Sequence, residues 1–196
     1  MAAKNSVKCY LKNGFYHLYN RGVAKGNIFL DEQDYNVFLS YLKTYLLPKD
    51  LISLYAILAS KNSRPQEKDK AQKLIKLKNF NENMDLIAYA LMPNHFHFLV
   101  KQTDEDTIDH FLNALGTRYV GYFNRKYKRV GPLFQGVYKA VLIGSEQQFL
   151  HLSRYIHLNP IKIQRPNLPS SLPEFLERTK IEWLKPDCIL NYFSKS

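Results

Sequence analysis

The stretch "DLIAYALMPNHFHFLVKQ", residues 85–102, decides the fold. Two short apolar runs flank Pro93-Asn94, a dipeptide with turn chemistry. The stretch predicts a β-hairpin, or one strand with a sharp irregularity at that point. On a strand, residues two apart share a face. His95 and His97 therefore point one way, and Phe96 and Phe98 the other. Two neutral imidazoles side by side can donate two nitrogen ligands to a divalent metal. The other reading of an isolated H-x-H is a pair of partly buried histidines hydrogen-bonded to carbonyls.

Outward from the hairpin, the chain alternates strand and helix signals. "GFYHLYNRG", 14–22, is aromatic-rich, ends in glycine and predicts a strand and turn. Within 30–47, Tyr35, Phe38, Leu39, Leu42 and Leu46 have helical spacing, with Asp31 or Asp34 near the N-terminus. "LISLYAILAS", 51–60, fits strand or helix. Residues 61–83 are charged, mostly basic, and predict an exposed, partly helical insertion. Helical spacing returns over 107–129. "GPLFQGVYKAVLI", 131–143, predicts a strand. "SEQQFLHLSRYIHLNP", 145–160, predicts a helix that opens on an N-cap serine and stops at Pro160. The proline-rich remainder predicts a wrapped tail with one or two short helices. The sum is an α+β domain with a mainly antiparallel sheet.

The chain has 196 residues, 45% of them hydrophobic, enough for one domain with a core. Its 28 Lys+Arg exceed its 17 Asp+Glu, giving a formal net charge of +11. A globular protein this basic is expected to meet a polyanion, nucleic acid first and an anionic membrane surface second. No apolar run reaches the roughly 18 residues a membrane span requires. Cys9 and Cys188 form neither a disulfide framework nor a CxxC metal site. "MAAKNSVKCY" lacks the apolar core of a signal peptide. The expectation is a protein of the reducing cytoplasm.

In "RYIHLNP", 154–160, Tyr155 and Asn159 are four apart and share a helix flank. Phe149, Leu152 and Ile156 form the neighbouring apolar stripe, which would pack on a sheet. A phenol is a poor nucleophile at its free pKa of about 10. A metal that draws charge off a phosphate makes phenolate attack feasible. Asn159 can offer a carbonyl oxygen to a hard cation. It also reads as a helix C-cap, and Tyr155 as a core-edge residue. In "YFNRKYKRVGPLFQ", 122–135, cations that can neutralise phosphates are interleaved with aromatics that can stack on bases. A solvated helix end, where cations suit the dipole, has the same composition.

Taken together, these blocks resemble the single-tyrosine HUH transposases of the insertion-sequence and REP-associated kinds. The H-hydrophobic-H motif is "HFH", in the context "YALMPNHFHFLVKQ". "YHLYNRGVAKGNIFLDEQDYNVFLSYL", "YFNRKYKRVGPLFQGVYKAVLI" and "FLHLSRYIHLNPI" follow the family order and cover most of residues 15–163. The resemblance implies a ferredoxin-like or RRM-like antiparallel sheet with packed helices, the HUH fold, over residues 1–163. Residues 164–196 would be a tail packing on it. His95 and His97 match the metal-binding pair, Tyr155 the nucleophile, and Asn159 the polar residue completing the metal site in the REP-associated branch.

The implied activity is metal-dependent cleavage and rejoining of single-stranded, hairpin-containing DNA through a 5′-phosphotyrosine, with Mg²⁺ or Mn²⁺. Monomer and homodimer both occur among such proteins. A catalytically silent DNA- or RNA-hairpin-binding module on the same fold is the alternative. Charge and position, rather than the family, nominate Arg118, Arg125, Lys128, Arg129 and Arg154 for holding the DNA backbone. Asn20 and Arg21, in the "YNRG" turn, match a recurrent family block, with a structural or DNA-contact role expected.

Overall fold

The computed structural model describes residues 10–193, so Cys9 lies outside it. Among the described residues, four strands form one antiparallel sheet: β1 (Phe15–Arg21), β2 (Met84–Met92), β3 (His95–Gln102) and β4 (Lys139–Leu142). Their spatial order is β2-β3-β1-β4. Helix α1 (Glu32–Leu46) and an α2–α3 hairpin (Leu51–Ala59, Pro65–Lys76) lie between β1 and β2. Helix α4 (Thr107–Lys126) joins β3 to β4, and α5 (Glu146–Lys162) follows β4. The β-α-β-β-α-β order in an antiparallel sheet is the ferredoxin-like arrangement, so the chain is α+β as its sequence implies.

The hairpin forms as read, turning at Pro93-Asn94, with a bulge between Leu86 and Ala88. Alternation sends Phe96, Phe98 and Val100 to one face, where they meet Leu18, Phe38, Phe111 and Tyr119 in the main core beneath α1 and α4. Leu99, Ala88 and Ala90 face the other way, against Phe149 and Ile156 of α5. The small side chains on this face let α5 lie close to the sheet.

Asp31 caps α1, accepting from the Asp34 N–H. Asp34 is fully buried. It accepts from the Leu30 N–H and from the Tyr122 and Tyr127 hydroxyls, and it pairs with Lys126 at 2.8 Å. This clamp ties the start of α1 to the end of α4.

The ambiguous run at 51–60 is helix α2. Asp50 caps it, accepting from both the Ser53 N–H and hydroxyl. Two expectations need correction. Only the last third of 131–143 is strand, because Gly131 and Gly136 adopt positive φ and turn the chain into a loop. That loop is laced to β1 by a Gly22–Phe134 bridge and a bond from the Gln135 N–H to the Arg21 carbonyl. Nor does Pro160 stop α5, which runs on to Lys162. One missing N–H in the final turn is tolerated. Beyond its Ile163 cap the chain turns at Gln164, whose positive φ accompanies bonds from the Gln164 and Arg165 N–H groups to the Ile161 and Pro160 carbonyls.

The tail beyond α5 runs along the free edge of β2. The Leu91 N–H donates to the Pro169 carbonyl and the Ser171 N–H to the Tyr89 carbonyl. Trp183 covers Tyr89 with ring centroids 5.3 Å apart. Short helices α6 (Leu172–Phe175) and α7 (Asp187–Phe193) follow, with Ile189 packed on the α5 face of the sheet. Among the described residues, no helix is long and apolar enough to cross a membrane.

Candidate active site

The sheet face beneath α5 carries a lattice of polar side chains fixed by register. Tyr19 of β1 lies opposite His97 of β3 and Lys139 of β4, and Arg21 lies opposite His95. Helix α5 lays Tyr155 over this lattice, because the Phe149–Ile156 stripe docks on the sheet and Tyr155 is the next residue round the helix. The Tyr155 ring meets His97 edge-on, with centroids 5.5 Å apart, and His17 at 6.3 Å. His95, His97, Tyr155, Tyr19, Arg21 and Lys139 line one cleft of about 760 Å³. Tyr155 is 36% exposed and His97 only 6%, so the phenol is accessible while the imidazole is held.

Both histidines have one nitrogen engaged. His97 Nδ1 is 2.9 Å from His17 Nε2, the rings stacked at 29°. His95 Nδ1 is 2.6 Å from Asn94 Oδ1. Burial pushes the His97 imidazolium down to about 3 and His17 down to about 4. Burial, and then the Arg21 charge, lower His95 as well. Near neutral pH all three are uncharged, the state in which imidazole binds metal. With Nδ1 engaged on each ring, Nε2 is the nitrogen that would bind a divalent metal where it carries no proton, so the residues of the His95–His97 pair fit a metal as two donors. Among the described residues, no group of three or more His, Cys, Asp or Glu is placed to hold a metal ion. A complete site would draw on other oxygens.

Asn159 lies one turn beyond Tyr155 and is not among the residues that line the cleft. Its amide nitrogen donates to the Tyr155 carbonyl at 2.8 Å, an arrangement that leaves Oδ1 outside that bond. Of the basic residues singled out from the sequence, Arg154 is exposed on α5 beside Tyr155. Arg118, Arg125, Lys128 and Arg129 belong to α4 and its end, and α4 packs on the opposite face of the sheet. Arg118 is half-buried, its guanidinium 3.9 Å from the centre of the Tyr41 ring. Arg125 and Arg129 are exposed.

His17, Asn94, Tyr19, Lys139 and Lys162 are site residues that sequence reasoning missed. Lys162 Nζ lies 5.3 Å from the centre of the Tyr155 ring. Asn94 stood in the quoted hairpin but read as turn chemistry. His17 is two residues from Tyr19 in a strand, the same spacing as His95 and His97. That repeat was the available signal.

The antiparallel ferredoxin-like sheet thus carries an H-x-H strand beneath a tyrosine-bearing helix. The model of the IS200-like transposase family matches residues 56–159, and the chain belongs to that family. It is therefore a transposase acting on DNA. Among solved structures, a REP-associated tyrosine transposase bound to a REP hairpin shares the fold. It is 13% identical, has a TM-score of 0.55, and the match covers 93% of this chain and 98% of that one. A putative transposase from Deinococcus radiodurans matches at 18% identity over 80% of this chain and 95% of its own. The TM-score of that match is 0.31. No curated protein sequence matches.

Proposed function

We propose that this transposase cuts and rejoins single-stranded, hairpin-containing DNA through a covalent bond to Tyr155. The observation that carries this reading is the accessible Tyr155 phenol standing over His97, in the cleft that also holds His95. In cleavage, the Tyr155 oxygen bonds to phosphorus and the bond from phosphorus to the 3′ oxygen breaks. The phenolic proton ends on that 3′ oxygen. The products are a 5′-phosphotyrosine and a free 3′-OH. Attack by another 3′-OH reverses the step and joins strands. One phosphodiester replaces another, so no nucleotide hydrolysis is needed.

Mg²⁺ or Mn²⁺ bound at His95 and His97, with Asn159 Oδ1 a candidate third donor, would supply Lewis-acid charge to the scissile phosphate. The chain's own groups do the rest. Arg21 and Lys139 flank the cleft and neutralise neighbouring phosphates. Lys162, its Nζ 5.3 Å from the centre of the Tyr155 ring, adds a cation beside the phenol that can face a bound phosphate. His95 also borders a second cleft with Asn27, Asn94 and Arg165, which gives a strand a path past the histidines. A hairpin substrate is supported by the hairpin carried by the structural relative.

The test is a denaturing gel of the purified protein with labelled hairpin DNAs of varied flanks, with Mn²⁺, Mg²⁺ or chelator. The expected result is a metal-dependent, SDS-resistant protein–DNA band that Tyr155→Phe abolishes while DNA binding persists. Salt-sensitive binding with no covalent band under any metal would refute the strand-transfer reading in favour of a hairpin-binding module.

A further inference from the structure

Each of the two motif histidines leans on a neighbour whose role nothing in the motif specifies. Asn94 provides the clearer case. Its Nδ2 donates to the Lys25 carbonyl at 3.1 Å, and a carbonyl can only accept. That bond fixes the amide orientation, so Oδ1 is the atom facing His95 Nδ1 at 2.6 Å. An amide oxygen also only accepts, so the proton sits on His95 Nδ1 and Nε2 keeps its lone pair. The contact between His97 Nδ1 and His17 Nε2 at 2.9 Å admits two proton arrangements. With the proton on His97 Nδ1, His97 Nε2 is a free donor. With the proton on His17 Nε2, His97 must carry its own proton on Nε2 and cannot ligate through it.

We propose that His17 and Asn94 are the positioning residues of the site, each accepting the Nδ1 proton of its histidine so that both Nε2 atoms are lone-pair donors. The inference rests on the reading of His95 and His97 as a metal-binding pair. The partners come from outside the H-x-H motif: His17 from the neighbouring strand, and Asn94 from the turn. The sheet sets the first contact: His17 lies opposite Leu99 and His97 opposite Tyr19, so the two histidines are diagonal neighbours on one face with the Leu18–Phe98 pair between them. The Lys25 carbonyl sets the second, from the loop after β1. Outer partners of this kind fix ring orientation and raise ligand basicity, and removing one lowers metal affinity by roughly 10–100-fold.

The first measurement is the imidazole nitrogen spectrum of the metal-free, full-length protein near neutral pH. His95 and His97 should both be in the Nδ1–H form, the minor form of a free histidine side chain. His97 carrying its proton on Nε2 would overturn the proposal. The second is Mn²⁺ titration followed by loss of the free-ion electron spin resonance signal, with no DNA present. His17→Phe keeps a ring but has no acceptor and should weaken Mn²⁺ binding by roughly 10–100-fold. His17→Gln offers an amide oxygen and should recover most of that loss. Asn94→Asp should likewise exceed Asn94→Ala. Equal affinities for the Phe and Gln variants, both folded by their urea midpoints, would refute positioning by His17. If His17→Phe does not fold, the Gln variant and the wild-type spectrum still decide. Nδ1–H forms without any Mn²⁺ uptake would leave the proton arrangement standing and overturn the metal reading beneath it.

Discussion

The Tyr155 ring stands edge-on over the His97 ring, with centroids 5.5 Å apart and planes inclined at 75°. Both belong to one copy of the chain. The helix carrying Tyr155 is seated on the sheet carrying His97 by Phe149 and Ile156, within the same small core. This packing keeps Tyr155 and the two histidines together within one copy of the chain.

This cis arrangement gives a mixing prediction. Tyr155→Phe and His97→Ala should each be inactive in adduct formation, and combining the two proteins should restore nothing. Recovery well above the sum of the separate variants would mean that α5 is exchanged between copies.

Buried His157 predicts an acid-side loss of stability. Its Nε2 lies 2.8 Å from the Ser171 hydroxyl, and burial lowers its pKa from 6.5 to about 4. Between those values the unfolded chain takes up a proton that the folded one refuses. Stability is therefore present above pH 6.5 and falls as the pH drops towards 4. From pH 7 to pH 5 this one group should remove about 2 kcal/mol. His157→Gln should lose correspondingly less over the same interval in urea titrations. Equal losses would remove His157 from the account.

The buried clamp at Asp34 predicts an unequal pair of substitutions. Asp34→Ala strands the Leu30 N–H, two tyrosine hydroxyls and half of the Lys126 pairing, and should cost about 3 kcal/mol or more. Asp31→Ala removes a helix cap and the more exposed half of the Lys126 pairing, and should cost less, about 1–2 kcal/mol. Chemical denaturation of the two variants compares them directly, and equal losses would contradict the clamp.

The α2–α3 hairpin should be dispensable for folding. Its helices contact chiefly each other, and α2 has no buried residue. The Asn79 side chain already bridges to the Leu47 carbonyl at 2.6 Å, so the flanking chain ends lie together. Replacing residues 49–77 with a short Gly-Ser linker should preserve cooperative unfolding and the covalent band. Because the excised segment is rich in lysine, the salt dependence of DNA binding should become shallower. Loss of folding would show that the hairpin supports the domain.

Much of this fold was legible where the signal is local. The alternation in 85–102 gives the hairpin and the shared face of His95 and His97. The spacing of Phe149, Leu152 and Ile156 gives the docked side of α5. The 51–60 run was ambiguous because it is apolar on every side, yet its capping Asp50 and Ser53 were readable. The 131–143 run hid its loop because Gly131 and Gly136 act through backbone φ, which side-chain patterning does not report. His17 shows only its spacing from Tyr19 in the sequence, and its contact is hidden for a different reason. Its partner is 80 residues away, and only the strand order brings them together. The basic block at 125–129 looked uniform, but Lys126 is bound into the acidic clamp while Arg125 faces solvent.

The strip of tail on the edge of β2 has a consequence for biosynthesis. The histidines lie in the middle of the chain, whereas the helix that carries Tyr155 is tied down through His157 to Ser171. At translation rates of about 5–20 residues per second, the ribosome adds that anchor roughly 4–15 s after His97. A nascent chain thus owns its histidines well before its tyrosine is held against them. The cleft shared by Tyr155 and the histidines gains its last tie only when the segment with Ser171 has been made.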